Sequence, residues 1–286
     1  MLSARMKSRL VFQSVLLALC LCFAPVAKLA AAEKSNVKID YTLSLAGVPV
    51  GKINMTARFD GNQYRVIATG RTAGVSRLFS DGKGTFATTG RLRGGKIVPS
   101  NFNMDTSDKH LTTKVRMQMG AGSIKRLFAA PPLAKRADRI PVRSKHWRNI
   151  LDPLSAFMVP LDTDGRIKPR SACNRTVPIF DGWQRFDMRL SYSQERQVKL
   201  GGSEGYSGPV VICKARYRPI AGHRPTRPAT VFLVNNTDME IWLAPLPGVP
   251  VLAPVSMRLG TKFGALVLKT KMLDARIGAG AIAATD

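Results

Sequence analysis

The sequence predicts a mainly β protein: a curved antiparallel sheet or open β-barrel with one short inner helix at about 153–159. Three observations carry this. Residues 41–68, YTLSLAGVPVGKINMTARFDGNQYRVIA, alternate apolar and polar side chains through three runs, the period of strands with one wet and one buried face. Each run is broken by Gly, Asp or Pro, the residues tight turns require. One helix is well signposted, and its segment is apolar on most sides, so it needs a hollow against which to bury.

In chain order, the first 32 residues combine a cationic start (Arg5, Lys7, Arg9), an apolar run from Leu10 to Ala27 and the small exit Ala30-Ala31-Ala32. This is the form of a secretory signal peptide cleaved near Ala32. Pro25 and Lys28 interrupt a run already short for a membrane anchor. Leu19 and Leu21, before Cys20 and Cys22, are too large for a lipoprotein site. No later run reaches about 18 apolar residues. The expected product is periplasmic, a single β-rich domain over 33–277 with a flexible tail at 278–286. Two sheet halves would meet near 121–175.

Tyr41, Leu43 and Leu45, then Ile53, Met55, Ala57 and Phe59, then Tyr64, Val66 and Ala68 define the inward faces of a three-stranded meander. A short helical turn is expected at 75–80. Strands follow at 83–89, 96–104, 110–119 and 122–128. TVPIFDGWQRFDMRLSY reads as a hairpin on Asp181-Gly182, a pair suited to a type I′ turn. Further strands fit 196–200, 208–217, 229–234, 239–244, 254–259 and 263–272.

In LDPLSAFMVPL, Asp152 can cap, Pro153 suits the first helical position and Pro160 ends the run. Leu154, Phe157 and Met158 are the candidate lining of an apolar cavity. Methionines 55, 117, 119, 188, 257 and 272 could join it or simply fill the core. Before this helix, residues 125–148 carry Lys125, Arg126, Lys135, Arg136, Arg139, Arg143, Lys145 and Arg148 against one acid, Asp138. Apolar Leu127, Phe128, Leu133, Ile140 and Trp147 interleave with them. Such a stretch is a candidate contact for lipid headgroups or a membrane surface; a solvated linker with a few core anchors is the plainer reading.

The chain has 44 Lys and Arg against 18 Asp and Glu. Four of the cations and none of the acids lie in the signal, leaving 40 against 18, a net +22 on the expected product. That surplus favours anionic partners, and in an exported protein these are envelope components rather than nucleic acid. Two cysteines remain, Cys173 and Cys213. An even count in an oxidising compartment reads as one disulfide, with two buried thiols as the alternative.

Catalytic signatures are sparse. His110, His146 and His223 are isolated, and no cysteine pair has metal-ligand spacing, so neither metal nor cofactor is expected. GGSEG at 201–205 fits the letters of a nucleophile elbow, but not its strand-to-helix setting. Asp60, Asp81 and Asp181 each precede Gly and read as turn formers. Trp183 and Trp242 fit strand positions facing the core.

The segments YTLSLAGVPVGKINMTARFDGNQYRV, ILDPLSAF, VPIFDGWQRFDMRL, CKARYRPIAGHR and IWLAPLPGVPVLAPVSMRLGTKFGALVL, in this order, resemble the bacterial exported domain-of-unknown-function family numbered 3108. The resemblance spans nearly all of the expected product. It implies a Gram-negative envelope protein with no catalytic residues to carry over. The sequence thus points to a non-catalytic protein that binds an apolar or lipid-like ligand or supports the envelope, with peripheral membrane contact. A hydrolase of envelope polymer and a structural interaction module are the alternatives.

Overall fold

In the computed structural model, fourteen strands form one antiparallel sheet. Residues 34–74, 77, 81–161 and 168–278 are described; the signal segment, most of the expected turn at 75–80 and the tail beyond 278 lie outside them. The first meander is β1 (Lys34–Leu45), β2 (Val48–Asp60), β3 (Gln63–Thr72), β4 (Lys83–Arg93), β5 (Lys96–Ser107), β6 (Thr112–Gly120) and β7 (Ser123–Ala130). After a long connection come β8 (Val159–Pro160), helix α1 (Pro169–Cys173), β9 (Arg175–Phe180), β10 (Arg185–Leu200) and β11 (Tyr206–Ala221). Helix α2 (Pro228–Asn235), β12 (Met239–Pro245), β13 (Val251–Thr261) and β14 (Gly264–Gly278) complete the chain.

The spatial order runs β7 to β1, then β14 to β9, with β8 on β13. First and last strands therefore pair, Lys34 opposite Gly278 and Leu45 opposite Leu266, and join the two halves into one wall. The edges β7 and β9 do not pair with each other. The connecting chain fills the gap: Ile150 donates its N–H to the Gly122 carbonyl, Leu151 to Pro178, and Phe180 back to Leu151. These bonds satisfy edge groups that would otherwise face water or another chain.

The alternation seen in the sequence places Val37, Ile39, Tyr41, Phe59, Tyr64 and Val66 inside the first half. They pack on Ile150, Leu154, Met158, Leu246 and Val249, which the connections fold inward. A second cluster, Val159, Cys173, Val211, Cys213, Leu243 and Leu252, fills the corresponding part of the second half. Cys173 and Cys213 form a fully buried disulfide that holds α1 on β11. The end of the β10–β11 hairpin bends at a bulge between Tyr192 and Gln194. There Leu200, Tyr206, Val210 and Ile212 join Ala244 and Val255 in a third cluster.

Three local expectations are corrected. Residues 229–234, predicted as a strand, lie in α2: Pro228 starts a helix, and β11 and β12 already pair with each other through 211–214 and 240–243, leaving those residues no partner. Asp181-Gly182 does not make a two-residue turn. Phe180 pairs with Arg185 across a four-residue connection, and the Asp181 carboxylate accepts the N–H groups of Trp183 and Gln184, which puts Trp183 in the turn rather than in a strand. The inner helix is a single 3₁₀ turn, Ser155–Phe157, after which the chain extends into β8.

The disulfide closes a separation of 40 residues, for which chain entropy gives about 4 kcal/mol of stabilisation. Replacing both cysteines by alanine should lower the Tm by roughly 10 °C in a calorimetric scan; equal Tm values would show that α1 is held without the bond.

Candidate ligand-binding lumen

Two apolar cavities lie inside the wall and share Pro153, Phe157, Met257 and Leu268. One, of about 280 Å³, lies in the first half under Tyr41, Met55, Phe59 and Phe86. The other, of about 380 Å³, lies in the second half against Phe186, Met188, Tyr217, Ile241 and Leu233 of α2. Phe157 stands between them, and its 37% exposure shows that it faces open space rather than packed core. The second cavity lies in the size range of small-ligand pockets, which are mainly apolar with a few polar groups at the margin. Glu240 and Arg258 supply that margin, and Arg258 is tied to Asp238 at 2.8 Å.

The first cavity spans the middle of the wall, from Ile53 and Phe86 to Phe59 and Leu246, whereas the second lies toward one end. At this end β1 joins β2, β3 joins β4, β5 joins β6, β9 joins β10, β11 leads into α2, and β13 joins β14. The opposite end is filled by Leu246 and Val249 in one half and by α1 with its disulfide in the other. Beyond Lys214, β11 leaves β12, and α2 covers the resulting split; Arg216 donates to the carbonyl of Asn236 just past the helix at 3.0 Å.

The inner turn is held by a buried polar group. Asp152, 0% exposed, accepts the N–H groups of Leu154 and Ser155 on Oδ1, both at 3.0 Å. Its Oδ2 lies 3.0 Å from Thr88 Oγ1, which also reaches the Asn101 carbonyl and Ser155 Oγ at 3.1 Å. Tyr64 and Ser155 hydroxyls meet at 2.8 Å. Burial raises the Asp152 pKa against these hydrogen bonds, and raises Tyr64 too. Thr88 donates to the Asp152 carboxylate, and the Ser155 hydroxyl links Thr88 to Tyr64, so each of these buried side chains has a partner. Acid, serine and tyrosine are all buried here, and the group anchors the turn.

The residues singled out in the sequence are distributed unequally. Leu154, Phe157 and Met158 all line the first cavity, with Met55 and Met257, while Met188 and Met257 line the second. Met117 and Met119 are core. Of the basic stretch, Lys125 and Arg126 are exposed on edge strand β7, and Lys135, Arg136, Arg143, Lys145 and Arg148 are exposed on the connection. Arg139 differs: it donates to the carbonyls of Ala134 at 3.2 Å and Gly222 at 2.5 Å, a structural tie. Asp138 is engaged by Arg224 at 2.8 Å. The stretch therefore spreads along the connection between β7 and β9. Leu233 escapes sequence reasoning because the pattern of 229–234 reads as a strand. The inward set Phe186, Met188 and Leu190 is visible as period-two spacing in FDMRL. Among the described residues no cluster of three His, Cys, Asp or Glu could hold a metal, and no helix is long and apolar enough to cross a membrane.

A single antiparallel wall, open at one end and enclosing an apolar lumen, defines a β-barrel-like protein. The chain belongs to DUF3108, a family of proteins of unknown function, whose model matches residues 40–271. No curated protein matches it. Among solved structures it is similar to a beta-barrel-like protein of domain of unknown function DUF1849 from Brucella abortus. The two are 10% identical, over 86% of this chain and 98% of that one, with a TM-score of 0.47.

Asp152 yields a signed expectation. Its folded pKa lies above the unfolded value, so the native state binds the extra proton. Stability from this group is full below the unfolded pKa, about 3.9, and falls as pH rises through the folded one. Asp152→Asn keeps the Oδ1 acceptor and should flatten that fall. Asp152→Ala should cost about 1–3 kcal/mol by leaving buried N–H groups unpaired. Urea titrations at several pH values check both; a steeper fall for the asparagine variant would show an ionised carboxylate in the native state.

Proposed function

We propose that this chain is an exported, periplasmic, non-catalytic binding protein whose lumen receives an apolar chain such as the acyl chain of a lipid. The observation that carries this reading is the pair of cavities divided by Phe157. Their linings are almost wholly apolar, and a wall of this length leaves them unfilled although the same chain packs its other interior regions closely. Empty apolar space forfeits dispersion contacts and destabilises a fold, so its retention on both sides of one aromatic side chain fits use by a ligand. The single charged margin at Arg258, Glu240 and Asp238 supports one polar end near the opening. The signal-peptide pattern of the first 32 residues supports export, and the cationic surplus supports an anionic envelope lipid as the source of the chain.

The test is to purify the protein natively, extract it with organic solvent and identify released lipids by mass spectrometry, then to titrate it with a fluorescent fatty acid. Saturable binding is expected. Met257→Trp, which inserts bulk where the two cavities share a wall, should weaken it at least about tenfold, a loss of about 1.4 kcal/mol, with the thermal transition retained. No extractable lipid together with no saturable uptake would overturn the reading.

A further inference from the structure

The two ends of the wall differ in the side chains beside their turns. At the filled end the hairpin tips are Asp60-Gly61-Asn62, Gly94-Gly95 and Ala121-Gly122, the residue types that tight turns select. At the open end, large apolar side chains occupy or adjoin the tips: Val48 (48% exposed) after the β1–β2 turn, Leu111 (52%) between β5 and β6, and Phe263 (80%) between β13 and β14. Helix α2, in the β11–β12 connection of the same end, adds exposed Val231 and Val234. Turn chemistry gives no reason for a phenylalanine at such a position, and burial gives none either.

These tips are held outward rather than loose. Thr261 Oγ1 accepts the Phe263 N–H at 3.1 Å and donates to the Gly264 carbonyl at 2.5 Å. Asp108 Oδ1 accepts the N–H groups of His110 and Leu111, both at 2.8 Å. Ala46 donates to the Ala265 carbonyl at 2.9 Å, which sets the Val48 and Phe263 tips side by side. Exposed cations accompany them: Lys109 precedes Leu111 by two residues, Lys262 adjoins Phe263, and Arg227 adjoins α2. None of the three makes an ion pair among the described residues. The acids of this end are mostly engaged: Asp138 and Asp238 in ion pairs, Asp108 and Asp181 with backbone N–H groups. Exposed Asp81 stands close in sequence to Arg71, Arg77 and Lys83.

We infer that the open end docks on an anionic lipid bilayer, with Phe263, Leu111, Val48 and α2 entering the interface and Lys109, Lys262 and Arg227 meeting the headgroups. Separate apolar tips spread over several connections fit a broad surface, whereas a protein partner would need a continuous apolar patch. Apolar insertion and headgroup attraction reinforce each other in such contacts. The second cavity lies toward this same end and shares Phe157 and Met257 with the first, so docking would bring the lumen to the lipid. The inference deepens the lumen reading and rests on it for its purpose, but docking can be measured with the lumen empty.

The test uses the full exported chain and sedimentation with vesicles of phosphatidylglycerol and phosphatidylethanolamine, against vesicles of phosphatidylcholine. Binding is expected to the anionic vesicles only, and to weaken as salt rises. Phe263→Ser with Leu111→Ser should lower partitioning about tenfold or more, and Lys109→Glu with Lys262→Glu should abolish the preference for anionic lipid. Ile277→Ser, an exposed apolar change at the opposite end, should bind as the parent does. Phe263→Trp should gain quenching by brominated lipid over the parent protein. The inference is overturned if the parent does not bind anionic vesicles at low salt, or if the Ser pair binds as well as the parent. No gain of quenching in the Phe263→Trp variant would overturn it equally. Fatty-acid titration of the Ser pair separates the two readings: unchanged uptake with lost docking supports the rim alone, and docking by a parent that takes up no fatty acid removes only the lumen reading.

Discussion

The pairing of the first strand with the last constrains everything else in this fold. Each half is a local meander that could form by neighbouring hairpins, but each alone would present two long edges. Joining Lys34–Leu45 to the C-terminal strand removes one edge from each half, and the connection around Ile150 and Leu151 occupies the other two. The requirement that buried backbone groups find partners therefore decides where the connecting chain runs. It passes between the free edges and then turns inward at Asp152. The inner turn, its buried carboxylate and the partition at Phe157 all follow from that path.

A wall of this many strands encloses more space than its own inward side chains can fill, as larger barrels generally do. The chain supplies most of its fillers toward the end opposite the opening: the inward connection at Leu246 and Val249, the segment Ile150 to Met158, and α1 held by its disulfide. Cavities remain beside these fillers, lined by Leu154, Phe157 and Met158 on one side of the partition and by Phe157 and Leu233 of α2 on the other. The asymmetry is built by the loops rather than by the strands, since the strands on both sides keep the same inward apolar period. Asp152 fits this division of labour. A group whose hydrogen bonds can be met only at one position specifies where the inner turn sits, at the cost of burying a carboxyl whose pKa that burial raises.

Much of the wall was legible because its signals are local. Period-two runs, the Gly and Asp turns at Asp60-Gly61-Asn62, and the Asp152-Pro153 start of the inner turn each depend on residues within a few positions of one another. Leu154, Phe157 and Met158 could be assigned to an interior for the same reason: their segment is apolar on most sides and had to be enclosed. What required coordinates was long-range. The pairing of residues 34–45 with 264–278 leaves no mark in either stretch. The helical state of Pro228–Asn235 was hidden because Thr, Val and Phe favour strands when a partner is at hand, and here none was. The basic run 125–148 looked like one patch in the sequence, yet Arg139 turns to the Gly222 carbonyl while the others divide between β7 and the connection.

The rim shows the same limit from the other side. Val48, Leu111 and Phe263 are each unremarked in sequence, one apolar letter beside a turn, and more than 200 residues separate the first from the last. An antiparallel meander sends every second connection to the same end, so these three become neighbours on one face through parity alone. Parity also sends Gly61, Gly94 and Gly122 to the other face. The end with the apolar tips has glycine turns as well, at Gly47, Gly182 and Gly264, so both ends meet the same backbone requirements and the exposed apolar neighbours are what sets this end apart. The exposed apolar tips therefore reflect a difference in what the two ends meet, and the end that carries them is the end toward which the second cavity lies.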